Sequence, residues 1–293
     1  MTVVELAKKV LVTGASGYIG RHVVRALLDR GAEVIAIDRE TSSARRAIDA
    51  RAQLVSADVF AFSDEDFEAL GSPDACIHLA WEAGFTHASP THMLRLSDHY
   101  RFLSGLVDRG IRRLAVVGTM HEVGYHEGRV DADTPTNPLS QYGVAKDALR
   151  KALAADFEGT DVVFQWLRCF YVIGDEENSK SVFSRIAAAA RQGQTTFPFT
   201  TGTRKFDFIH VEELGRQIAA AASQDEVRGV IHCGSGTSTE LRHMVDRFIA
   251  ERGFNIELLY GAFPDRQYDS PAIWADTTAI HYIMSRIEAG VTS

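Results

Sequence analysis

Three short patterns in the chain carry residue types suited to holding a phosphate-bearing ligand and moving a proton. The first is Thr13-Gly-Ala-Ser-Gly-Tyr-Ile-Gly20, with glycines at 14, 17 and 20. It follows an apolar run, Val10 to Thr13, and opens an amphipathic stretch, so it reads as a strand–turn–helix junction. Gly14 permits a tight turn, Gly17 lets a diphosphate reach the backbone, and Gly20 lets the helix pack closely on the strand. Ser16, Tyr18 and Ile19 complete the candidate cradle, and the N–H groups that open the helix offer positive dipole ends to phosphate. Asp38 closes the next apolar run, where a carboxylate accepts ribose hydroxyls and repels a 2′-phosphate. That favours NAD. The adjacent Arg39 keeps NADP as the alternative, because a guanidinium pairs well with phosphate. Asp58 and Val59 follow the third run as candidate adenine contacts.

The second pattern is Tyr142-Gly-Val-Ala-Lys146. Residues four apart on a helix share a face. An ammonium beside a phenol stabilises phenolate and draws its pKa down from about 10. Tyr142 is therefore the candidate proton donor and acceptor, and Lys146 the candidate ribose ligand. The third pattern, Val117-Gly-Thr-Met-His121, ends an apolar run. Ligands of open parallel sheets bind beyond the carboxyl ends of strands, which places Thr119 to bond a substrate oxygen beside Tyr142.

These side chains need a scaffold. Apolar runs at Val10–Thr13, Val34–Ile37, Leu54–Val55, Ala75–Leu79, Leu114–Val117 and Val162–Leu167 alternate with amphipathic stretches at Gly17–Arg30, Met93–Asp108 and Ser140–Asp156. This alternation predicts an α/β fold, a Rossmann-like doubly wound parallel sheet. The pattern degrades after residue 168. Residues 1–168 are read as the dinucleotide-binding domain. Residues 169–293 are read mostly as a smaller α+β substrate lobe, with the segment around 206–233 threading back to the first domain. At 293 residues, 45% hydrophobic and 24% charged, the chain is an ordinary globular protein. Its net charge of −8 argues against a nucleic-acid binder. Nothing approaches the roughly 18 apolar residues a membrane span needs. Three dispersed cysteines, Cys76, Cys169 and Cys233, fit a reducing cytoplasm.

Together the motifs resemble the extended short-chain dehydrogenase/reductase family, in particular its NAD-dependent epimerase/dehydratase branch. The resemblance adds His78-Leu-Ala80, Asn137-Pro-Leu-Ser-Gln-Tyr142, Leu167-Arg168, Phe206 to Leu214 and Trp274-Ala-Asp276. It implies Thr119, Tyr142 and Lys146 as catalytic trio, with Leu79, Ala80 and Trp81 beside the cofactor. It also implies a nucleotide-linked sugar as substrate, and a homodimer built through helices 93–108 and 142–156. Candidate substrate contacts are Trp81, Met120, His121, Tyr171, Arg204 and Arg266. The chain departs from the family in several places. Thr119 is followed by Met120 and His121 instead of an acidic pair, which argues against a dehydratase. Tyr171, Ile173 and Phe206 replace polar residues, and Trp81 stands where a small residue is usual.

The resulting expectation is a nucleotide-sugar 4-ketoreductase, with a 4-epimerase sharing the same machinery as the alternative. A dehydrogenase of a small alcohol or ketone, and a non-catalytic NAD(P)-sensing regulator, are the further readings. No metal is expected: His121-Glu122 with His126 misses HExxH, because Tyr125 holds the second histidine position. His87, His92 and His99 are expected on a loop and helix near the cleft mouth.

Overall fold

The computed structural model describes residues 8–39, 47–174, 179, 181–265 and 269–290. In chain order the first strands are β1 (Lys9–Thr13), β2 (Glu33–Asp38), β3 (Gln53–Ser56), β4 (Ala75–His78), β5 (Arg113–Thr119), β6 (Gly128–Val130) and β7 (Val163–Cys169). They are followed by β8 (Tyr171–Ile173), β9 (Thr196–Pro198), β10 (Lys205–His210), β11 (Gly229–Cys233), β12 (Ser238–Glu240), β13 (Glu257–Leu259) and β14 (Ala272–Ala275). The helices are α1 (Gly20–Asp29), α2 (Asp64–Ala69), α3 (Thr91–Leu94), α4 (Leu96–Asp108), α5 (Gln141–Asp156), α6 (Val182–Arg191), α7 (Val211–Ala222), α8 (Leu241–Arg252) and α9 (Thr278–Gly290).

Seven strands build the main sheet in the order β11-β7-β5-β4-β1-β2-β3. Every pairing in it is parallel. Side chains alternate across a strand, and both faces here are apolar, as a covered parallel sheet requires. Val10 and Val12 join α1, α7 and α9 through Val24, Leu27, Ile218 and Ile280 on one side. Leu11 points the other way, to Phe102 and Leu106 of α4 and Leu149 and Leu153 of α5. The helix α7 lies so close to α1 that a Cβ at Gly215 would stand 2.8 Å from the His22 backbone.

The chain leaves β1 in one direction for β2 and β3, and returns on the other side for β4, β5, β7 and β11. Between β1 and β4 the winding reverses, and the crevice beyond their carboxyl ends is where such sheets bind ligands. Thr13 and His78 are register partners at that point.

A second sheet runs β12-β10-β14-β6, with β8 also pairing β10. Only the β10–β12 pairing among these is antiparallel. The two sheets are tied by Asp207 on β10. Its buried carboxylate accepts N–H bonds from Ser235 and Gly236, just after β11, and from Ala275 on β14. The helices α6 and α8 pack Phe183, Ile186, Val245 and Phe248 into a separate apolar core with Phe199.

Two sequence expectations change in detail. The predicted helix 17–30 begins at Gly20, since Gly17 to Ile19 form the turn. The predicted helix 93–108 is two helices, α3 and α4, joined at Arg95.

Candidate active site

Beyond the carboxyl ends of β1, β4, β5 and β7 lies a cavity of about 1210 Å³. Gly14, Gly17, Tyr18, Ile19 and Gly20 form one part of its wall, and Leu79, Trp81, Thr119, Tyr142 and Lys146 another. The glycines are required by geometry. Gly14 has φ +65°, and a Cβ there would come within 2.7 Å of the Ala80 nitrogen. A Cβ on Gly20 would come within 2.1 Å of the Gly14 carbonyl, so this glycine closes the helix onto the turn and not onto the strand. Gly17 faces the cavity and has only the Gly14 carbonyl near its Cβ position, at 3.1 Å.

Ser16 donates its backbone N–H to the Asp38 carboxylate at 2.9 Å, and its hydroxyl to the same oxygen. The end of β2 is thereby locked to the glycine turn. Arg39 is turned away toward Glu82, at 3.2 Å. Asp58 caps its own turn by accepting the Phe60 N–H, and Val59 is buried. Ala80 donates its N–H to Thr13 Oγ1. Ser16, Asp38, Arg39, Asp58, Val59 and Ala80 all lie outside the cavity wall.

The reactive end is built by β5 and α5. Ser140 caps α5 by accepting the Gly143 N–H at 3.1 Å, and Tyr142 donates its backbone N–H to the His87 carbonyl. Thr119 caps the short turn at 120–122, its Oγ1 accepting from His121 N–H at 3.3 Å. The same Thr119 hydroxyl lies near the Tyr142 phenol and favours its ionised form. Glu122 is fully buried. It accepts from the Thr119 N–H at 2.7 Å, the Trp166 indole and Arg168 Nε. Gly118 permits this, because a Cβ there would meet the Trp166 indole nitrogen at 2.1 Å. Glu122 is therefore an anchor and not a base facing substrate, which strengthens the case against water elimination.

The electrostatics depart from the expectation that Lys146 draws the phenol down. Burial and the Glu122 charge hold the Tyr142 phenol above its ordinary value, with the Thr119 hydroxyl opposing them. Lys146 is itself buried, and desolvation lowers its amine to about 7. Its Nζ donates to the Val117 carbonyl at 2.6 Å and sits 3.8 Å from the centroid of the Trp81 ring.

Of the expected substrate contacts, Trp81, His121, Tyr171 and Arg204 line the cavity. Met120 opens instead onto a small adjoining hollow. Arg204 donates to the Asp269 carbonyl. Arg266 lies outside the described residues. His87, expected near the cleft mouth, lines the cavity, and its ring stacks on Tyr142 at 5.2 Å. Sequence reasoning missed the Arg185, Phe197 and Phe199 wall. It misplaced His92 and His99, which are buried and not at the cleft mouth. His78 at the end of β4 was the available signal, since a histidine closing a buried strand needs a polar partner. Among the described residues no three His, Cys, Asp or Glu side chains are grouped to hold a metal ion.

Residues 10–234 match the model of the NAD-dependent epimerase/dehydratase family. The chain belongs to that family. Among curated relatives of this NAD-dependent family member, it is 40% identical to the dTDP-6-deoxy-L-talose 4-dehydrogenase (NAD(+)) of Aggregatibacter actinomycetemcomitans, over 90% of this chain and 98% of that one. It is 26% identical to the dTDP-6-deoxy-L-talose 4-dehydrogenase (NAD(P)(+)) of Kitasatospora kifunensis, over 88% and 83% of the two chains. In fold it is similar to the UDP-N-acetylglucosamine 4-epimerase of Methanobrevibacter ruminantium, with a TM-score of 0.82 over 95% and 92% of the chains at 22% identity. The residues present fit the family's dinucleotide. Gly14, Gly17 and Gly20 present bare backbone to the cavity, and Asp38 ends β2 one hydrogen bond from that turn. No helix among the described residues is long and apolar enough to cross a membrane.

Proposed function

We propose that the protein is an oxidoreductase that interconverts the 4-hydroxyl and 4-keto forms of a nucleotide-linked 6-deoxyhexose, working as a 4-ketoreductase or, in reverse, a 4-dehydrogenase. One observation carries this reading: Thr119, Tyr142 and Lys146 converge on the wall of a single cavity that also holds the Gly14–Gly20 turn. The 40% relative supplies the substrate class, a dTDP-6-deoxyhexose.

NAD(H), bound along the glycine turn, supplies the hydride chemistry. The chain's residues do the rest. Tyr142, raised by burial, is fully protonated at neutral pH and gives its proton to the oxygen that develops negative charge in reduction. Thr119, beside the phenol, bonds the same oxygen. Lys146 stands one helical turn on, as the candidate ribose ligand. Tyr171, Phe206 and Trp81 narrow the sugar end with aromatic surface, and Arg204 stands in the wall as a charge for the diphosphate. We read residues 1–168, with later segments around 206–233 returning to them, as the dinucleotide-binding part and 169–293 as mostly substrate-binding. We also propose a homodimer through the helices that bear Leu94 and Val144, which are exposed.

The test is cofactor consumption. With a dTDP-4-keto-6-deoxyhexose, the reading expects one NADH oxidised per sugar reduced, and a loss of about 10²- to 10⁴-fold in turnover for Tyr142→Phe with NAD binding retained. Sugar conversion with no net change in NADH would replace the reductase with an epimerase.

A further inference from the structure

The family pattern places a small residue where this chain has Trp81, and the structure gives that indole four distinct contacts. Its face takes Lys146 Nζ at 3.8 Å. The His99 ring stacks on it, 4.2 Å away at 12°. Its N–H donates to His92 Nδ1 at 3.0 Å. Its edge approaches Tyr142, with ring centroids 6.2 Å apart. Because His92 Nδ1 accepts, its proton is on Nε2, which donates to the Thr86 carbonyl at 3.0 Å. The indole is thus held by two imidazoles, one by stacking and one by a hydrogen bond.

The chain of contacts continues to the phosphate turn. His99 Nδ1 shares a hydrogen bond with His78 Nε2 at 2.9 Å, and His78 Nδ1 shares one with Thr13 Oγ1 at 2.8 Å. Thr13 is the residue before Gly14. Burial holds both His78 and His99 well below the usual imidazole range, so neither adds a positive charge beside Lys146. A buried ammonium needs its donors satisfied or its charge spread, and an indole face within about 6 Å does the second.

We propose that Trp81 and His92 are positioning residues for Lys146: the indole face seats the ammonium, and His92 holds the indole at the angle that does so. His99, His78 and Thr13 brace the same indole against the glycine turn, so the ribose ligand and the phosphate cradle are set by one continuous structure. The titratable groups that face Lys146 are Glu122 and Cys169, Tyr142 on its own helix, and His78 and His99 beyond the indole. This role rests on the proposed reaction only in that the reaction gives Lys146 a catalytic task.

The experiment uses full-length protein carrying ¹³Cε-lysine and ¹⁵N-indole labels, followed by NMR across pH, beside the pH profile of kcat with the sugar substrate. Trp81→Leu, which keeps apolar bulk and removes the π-face, is expected to lower the Lys146 titration midpoint by about one pH unit. Trp81→Phe should retain most of the wild-type midpoint. His92→Leu should reproduce Trp81→Leu, and His92→Asn, whose amide oxygen replaces Nδ1, should restore it. The acid-to-base limb of kcat should move with the NMR midpoint. An unchanged Lys146 midpoint in folded Trp81→Leu and His92→Leu overturns the proposal and leaves the indole as filler. If the sugar is not turned over but the midpoints move, the substrate assignment fails and the positioning role stands.

Discussion

Lys146 carries a cost that its surroundings repay only in part. Desolvation brings its amine from 10.5 to about 7 in the folded protein, while the unfolded chain keeps the higher value. Between those two pH values the unfolded state binds a proton that the folded state lacks, so this group makes stability rise with pH across that window. Below pH 7 both states are charged and the full burial penalty is present; above 10.5 both are neutral and it vanishes. Lys146→Met should therefore be more stable than wild type below pH 7. The gain should be on the order of a few kcal/mol, since lowering the amine by one pH unit costs about 1.4 kcal/mol. The gap should close toward pH 10.5. Denaturant unfolding of both proteins at several pH values reads this directly, and a gap that does not vary with pH would contradict the burial account. A residue retained at such expense fits a functional rather than a structural role.

At the level of single elements, the glycine turn depends on backbone approach. Gly14 adopts a left-handed φ and touches the backbone after β4, neither of which an alanine tolerates. Gly14→Ala should cost at least about 1–3 kcal/mol from backbone strain alone, before the clash with Ala80 is counted. It should also weaken NAD binding, measured by calorimetry, because the turn that presents Gly17 must open. Equal affinity in the variant would show that the cradle is not held by this contact. The turn, β1 and the existence of α1, though not its first residue, were legible in the sequence because spacing and chirality act locally. The break between α3 and α4 at Arg95 was not, because the periodicity of apolar residues runs through it without interruption. The continuation of the chain as α9 was missed for a related reason: Ile280, Ile283 and Ile287 find their partners only on α7 and the main sheet.

Across the molecule as a whole, the helices α3 and α5 leave apolar side chains uncovered. Leu94 is 75% exposed and Val144 38%. If they form the homodimer interface, the 32.3 kDa chain should sediment as a dimer, and the pair Leu94→Asp with Val144→Asp should yield monomers without unfolding. A wild-type monomer at micromolar concentration would remove that part of the proposal.

The parallel sheet, the glycine turn, the acid that ends β2 and the grouping of Thr119, Tyr142 and Lys146 at one cavity could all be read along the chain. Each follows from short-range periodicity, chirality or a spacing of a few residues. The roles of Glu122, His92, His99 and Trp81 could not, because they arise from packing between distant segments. Glu122 meets Trp166 and Arg168 from a strand more than forty positions away, and becomes a buried anchor. Trp81, His92, His99 and Lys146 come from a loop and three helices that meet only when the sheet is covered. Charge and protonation depend on burial and on remote neighbours, and no local pattern encodes either.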